Sequence, residues 1–199
     1  MFIAGVSRPL LRVLWRYEAL GLDNLPDGGF VLAAGHHSNF DPWPLGIALS
    51  KTRFVRFMAK SELFWWPLGP IIQAIGGFKV RRGEADRDAL STARRLAREG
   101  NVVAMFPEGT RRSKGLLKRR QVEVHDGAAR IALGAGVPLV PAALAGTDRL
   151  ARFEKLRVSY GQPVAVDDLA GLPRREAARV ATERLMVRIQ ELEAELAAG

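Results

Sequence analysis

Short apolar runs alternate along this chain with stretches of helical period, the pattern of buried strands interleaved with amphipathic helices. Phe30 to Ala34 is apolar throughout and reads as a strand covered on both faces, following a turn signal at Leu22 to Asp27. Phe54 to Met58, broken only by Arg56, Val102 to Phe106, Val137 to Ala143 and Leu156 to Tyr160 read as further strands, and Gly76 to Val80 as a short strand or turn. Between them, Pro42 starts a short helix reaching about Leu49, and Asp86 to Glu99 puts Ala89, Leu90, Ala93, Leu96 and Ala97 on one face before Gly100. Gly127 to Ala135 is a helix capped by Gly136, and a long helix after Pro173 lines up Leu185, Ile189, Leu192 and Leu196. Ser61 to Ile75 is helical in pattern but carries Pro67 and Pro70, which break it or delay its start. The alternation predicts an α/β fold, a mostly parallel sheet flanked by helices, in a single domain over residues 1–199.

Residues 1–20 form a separate amphipathic segment. Arg8, Arg12 and Arg16 recur at every fourth position, while Leu10, Leu11, Val13, Leu14 and Tyr17 fall on the opposite arc with Trp15 at the border. Such a helix either lies at a membrane interface or packs its apolar arc on the domain's own core. The aromatic cluster Phe64, Trp65, Trp66 carries the same two readings. No run of 18 uncharged apolar residues is present, so no spanning helix is expected, and the arginines interrupt the N-terminus too often for a signal peptide.

Composition narrows the choice of partners. With 48% hydrophobic residues and a mean hydropathy of −0.02 the chain is globular, and its net charge of +9 attracts anions, whether nucleic acid, anionic lipid or phosphorylated substrates. The absence of cysteine excludes disulfides, thiolate metal sites and a cysteine nucleophile.

Chemistry concentrates in GHHSNFD, Gly35 to Asp41, between the first buried strand and Pro42. In one continuous helix the His36 and Asp41 side chains would diverge by roughly 140° and could not meet. If the chain loops after the strand and begins its helix at Pro42, the Asp41 carboxylate can fold back on an imidazole, fix its tautomer and leave the other nitrogen as a base. The alternative is that Asp41 only caps the helix.

Four stretches in order, GHHSNFD, GGFKVRR, FPEGTRRS and VPLVPAA, resemble the glycerolipid acyltransferase family that includes bacterial lysophosphatidic acid acyltransferase, a 1-acylglycerol-3-phosphate O-acyltransferase. The resemblance covers roughly residues 30–143 and implies a glycerol-3-phosphate acyltransferase-like fold. It places His36 and Asp41 as the catalytic pair and Ser38, Arg82, Glu108, Gly109, Thr110 and Arg111 at the substrate. The family usually opens the first block with Asn, where this chain has Gly35. Lys79 and Arg81 make the second block more basic, leaving either Arg81 or Arg82 as the phosphate partner. His125 and Asp126 stand before Gly127, where relatives often have a lysine.

That family moves a fatty acyl group from acyl-CoA or acyl carrier protein to the free hydroxyl of a lysophospholipid such as 1-acylglycerol-3-phosphate, as phosphatidic acid is made. The resemblance therefore implies an anionic membrane surface as a partner, a peripheral position on the cytoplasmic face, and neither cofactor nor metal beyond the acyl donor. The residues suit that chemistry. An alcohol is a poor nucleophile until its proton is removed, an ordinary imidazole is mostly neutral at pH 7, and guanidinium groups grip phosphate. A covalent route through Ser38 is disfavoured because the serine lacks a strained elbow, so it serves the turn as a hydrogen-bond partner. Two other readings, a basic nucleic-acid-binding module and a catalytically silent lipid-binding relative, also account for the charge. Lys114 to Arg120 carries none of the aromatics that single-stranded nucleic acid would stack on, and reads as a solvated loop.

Overall fold

A computed structural model describes residues 2–50, 53–74, 76–80, 87–108 and 124–198. Its centre is a seven-stranded sheet of order β1-β7-β6-β2-β5-β3-β4, formed by Glu18–Leu20 (β1), Phe30–Ala34 (β2), Val55–Lys60 (β3), Gly77–Val80 (β4), Val102–Met105 (β5), Leu139–Ala145 (β6) and Arg157–Tyr160 (β7). The five strands β6, β2, β5, β3 and β4 run parallel, whereas β7 is antiparallel to β6 and carries β1 parallel to itself. The sheet is thus mostly parallel, as the alternating pattern predicts, with one reversed edge.

The strands are apolar throughout because both faces are covered. Along β2, Phe30, Leu32 and Ala34 enter one core with Val102 and Ala104 of β5 and Val140, Ala142 and Leu144 of β6. Val31 and Ala33 point the other way, into a second core with Val103 and Leu139. Two helices, α1 (Phe2–Trp15) and α2 (Pro42–Ile47), close the first core through Leu11, Leu45 and Ile47. Opposite them, α4 (Arg87–Arg98), α5 (Gly127–Ala135) and α6 (Arg174–Ala198) cover the second through Ala93, Ala97, Ile131, Leu185 and Ile189. Gly136 ends α5 in the left-handed region, at φ 68°, and its N–H closes on the carbonyls of Ala132 and Leu133.

One local expectation changes, and two open readings resolve. The 1–20 segment is not one helix: α1 stops at Trp15, and Glu18–Leu20 pairs with β7 as an edge strand. Its apolar arc is split, with Leu11 and Tyr17 buried while Leu10, Val13 and Leu14 face solvent. The helical pattern from Ser61 is broken as its prolines predict, into a 3-10 turn at Ser61–Leu63 and a helix α3 over Leu68–Ala74, separated around Pro67, while Ile75 lies outside the described residues. Trp65 and Trp66 are exposed rather than core residues, Trp66 to 81%. Among the described residues no helix is long and apolar enough to cross a membrane.

Candidate active site

The parallel pairing of β2 with β5 decides where the first and third motifs meet. Phe30 to Ala33 stand in register with Val102 to Met105, so the loops leaving both strands emerge side by side at their carboxyl ends. The first loop carries His36 to Asp41 and the second carries Phe106 to Glu108.

Within the first loop the carboxylate folds back. His36 Nδ1 donates to Asp41 Oδ2 at 2.8 Å, and the same oxygen accepts the backbone N–H groups of His37 at 2.7 Å and Ser38 at 2.8 Å. Asp41 makes no side-chain cap on α2, so its carboxylate serves the turn and not the helix terminus. Its backbone carbonyl instead accepts the Leu45 N–H, which ties the loop directly to the start of α2. The Ser38 hydroxyl accepts the Phe40 N–H at 3.3 Å, the turn-holding part expected of it.

Burial and charge set the state of this pair. Asp41 is fully buried, which pushes its carboxyl up, but hydrogen bonding to His36, the nearby polar Thr147 hydroxyl and hydrogen bonds from the N–H groups of Ser38 and His37 outweigh that and hold it below the ordinary carboxylate value. Thr147 faces the carboxylate from the turn after β6. Its hydroxyl and Asp41 Oδ1 are both buried, and neither has a hydrogen-bond partner among the described residues. The His36 ring is about 15% exposed and stacks on Phe106, with centroids 4.3 Å apart and planes 21° apart. With Nδ1 committed to the carboxylate, Nε2 is the nitrogen with no hydrogen-bond partner among the described residues.

Glu108, buried at 3% exposure, accepts the His36 backbone N–H through Oε2 at 3.4 Å, which binds the second loop to the first. Just before it the Pro107 carbonyl accepts the His125 N–H, and His125 itself is exposed beside α5. Four of the expected site residues, Arg82, Gly109, Thr110 and Arg111, lie outside the described residues, as do Arg81 and the basic tract from Lys114 to Arg120. From the second motif, Lys79 on β4 places its ammonium 5.4 Å from the centroid of the Phe64 ring. No group of three or more His, Cys, Asp or Glu side chains among the described residues is arranged to hold a metal ion.

Sequence patterns missed three members of this arrangement. Phe106 ends a predicted strand and opens the FPEGTRRS motif, but nothing in the spacing announces that it stacks on His36. Thr147 and Glu193, whose Oε1 lies 3.1 Å from His37 Nε2, approach from distant parts of the chain. Only tertiary packing brings them in.

The second anchor of the site is α2. Tyr17 donates its hydroxyl to the Pro44 carbonyl at 2.8 Å and Tyr160 to the Leu45 carbonyl at 2.7 Å, and burial pushes both phenols up. These carbonyls sit near the end of a short helix, where intrahelical donors run out. Two buried tyrosines from β1's approach and from β7 therefore fix the element that presents Asp41.

Comparison with known proteins is consistent with this geometry. A family model described as Acyltransferase matches residues 16–145. The chain is 34% identical to a 1-acyl-sn-glycerol-3-phosphate acyltransferase of Bacillus subtilis over 98% of its own length and 97% of that protein. It is 32% identical to a chloroplastic 1-acyl-sn-glycerol-3-phosphate acyltransferase of Brassica napus over 68% of its length, spanning 39% of that longer chain. The crystal structure of the 1-acyl-sn-glycerophosphate (LPA) acyltransferase of Thermotoga maritima superposes with a TM-score of 0.61 at 26% identity, over 88% of this chain and 71% of that one. The sheet, the order of the motifs and these matches agree, and the chain belongs to the acyltransferase family.

Proposed function

We propose that the protein transfers a fatty acyl group from the thioester of acyl-CoA or acyl carrier protein to the free hydroxyl of 1-acylglycerol-3-phosphate, giving phosphatidic acid. The observation that carries this reading is the 2.8 Å contact from a fully buried Asp41 to His36 Nδ1, which turns Nε2 away as the available base. In the reaction, the acceptor hydroxyl gives its proton to Nε2 as its oxygen bonds to the thioester carbon. The carbon–sulfur bond then breaks and the leaving thiolate takes the proton from the imidazolium. Asp41 holds the ring's tautomer and stabilises the imidazolium while it lasts. A thioester already has a good leaving group, so no acyl-enzyme is needed.

The similarity to 1-acyl-sn-glycerol-3-phosphate acyltransferases supports the acceptor, whose phosphate suits Arg82 and Arg111. A peripheral position on the cytoplasmic face of an anionic membrane is supported by the exposed Leu10, Val13 and Leu14 of α1, flanked by arginines, by the exposed Trp65 and Trp66, and by the +9 charge.

The test is purified protein with one acyl-CoA, or the matching acyl carrier protein, against a panel of lysolipids including lysophosphatidic acid, read by mass spectrometry. Acceptor-dependent release of thiol and formation of phosphatidic acid is the expected result. A His36→Ala variant should lose about 10²–10⁴ of the rate if His36 is the base. Transfer within about tenfold of wild type would remove it from that role.

A further inference from the structure

Gly35 faces a carboxylate. A Cβ at this position would stand 2.2 Å from Glu193 Oε1 and 3.3 Å from His37 Nε2, and its φ lies outside the left-handed region. Volume, not backbone freedom, is what requires glycine here. Glu193 follows the buried Leu192 on α6, and its Oε1 lies 3.1 Å from His37 Nε2, both side chains being mostly buried. From His37 the connection continues through its own backbone, whose N–H donates to Asp41 Oδ2 beside the His36 ring nitrogen. The C-terminal helix thereby reaches the catalytic carboxylate in two steps. The asparagine that usually opens this motif would need the space that Glu193 fills.

We propose that Glu193 is a positioning residue for acyl transfer. Its carboxylate accepts the Nε2 proton of His37 and holds the turn so that three donors converge on Asp41, and the bare backbone at Gly35 admits it. This rests on the reading of His36 as the base.

Steady-state kinetics of the full chain test it, with Glu193→Ala, Glu193→Gln, Gly35→Ala and the Gly35→Ala/Glu193→Ala double variant, each checked for folding by thermal melting. Glu193→Ala is expected to lower kcat about tenfold or more with KM for the acceptor within about twofold, the scale of a slightly misplaced catalytic group. Glu193→Gln, whose amide oxygen still accepts from His37, restores most of the rate. Gly35→Ala costs activity alone but adds nothing once Glu193 is truncated, because the new methyl then occupies vacated space. An unchanged kcat in Glu193→Ala, or an equal Gly35→Ala loss in both backgrounds, overturns the proposal. Nitrogen NMR of the His37 ring reads the contact without turnover: the Nε2–H tautomer should dominate in wild type and in His36→Ala, and be lost in Glu193→Ala. If His36→Ala keeps full activity, the base assignment fails, while this signal still decides whether Glu193 holds His37.

Discussion

Asp41 Oδ2 gathers three donors at once, from the His36 ring and the backbones of His37 and Ser38. An Asp41→Asn variant keeps an oxygen for them but loses the charge that stabilises an imidazolium. It should therefore fold, while kcat falls by about 10²–10⁴, measured by thiol release. Retention of near-full kcat would show that the charge is not used. The same contacts tie stability to pH. Because the folded carboxyl is held below its ordinary value of 3.8, the folded chain binds this proton less readily than the unfolded chain does. The stabilisation is complete above that value and is lost as pH falls through the lower folded one. Urea midpoints followed from about pH 5 to about pH 2 should drop more steeply in wild type than in Asp41→Asn. Parallel curves would mean that Asp41 carries no linkage.

At the scale of elements, α2 transmits tertiary packing to the site, because Asp41 immediately precedes it and Tyr17 and Tyr160 hold its carbonyls. Tyr160→Phe removes the donor from the buried Leu45 carbonyl and should destabilise the fold by about 1–3 kcal/mol in chemical unfolding. Wild-type stability in that variant would mean that water replaces the phenol. What the sequence discloses follows from the range of each interaction. β2, α5 and the buried face of α6 are legible because their apolar periods are local, and the His36–Asp41 closure is legible because Pro42 fixes where the helix begins. β1 is not, since Glu18, Ala19 and Leu20 show no alternation and their partners lie at Arg157 to Ser159. Neither is the reversal of β7, whose apolar run is the same in either direction. Thr147 and Glu193 were hidden for the same reason: each reaches the turn from an element whose own pattern concerns only its packing.

For the whole molecule, the net charge of +9 and the exposed apolar side chains of α1 predict binding to anionic vesicles. Sedimentation with such vesicles should weaken as salt rises, because screening shortens the reach of the basic surface, and Val13→Asp should weaken it further. Binding that ignores salt, lipid charge and Val13 would move the contact elsewhere. The reversed sheet edge has a separate consequence, one of timing. Glu18–Leu20, made as β1, has no strand to join until β7, far along the chain, has emerged, and α6 follows β7. A nascent chain halted after β6 could assemble its central parallel strands, yet Tyr17 would lack the β1–β7 pairing that settles it beneath α2. The turn that carries His36 and Asp41 therefore waits on segments made after β6, and a chain halted there would leave that turn unsettled.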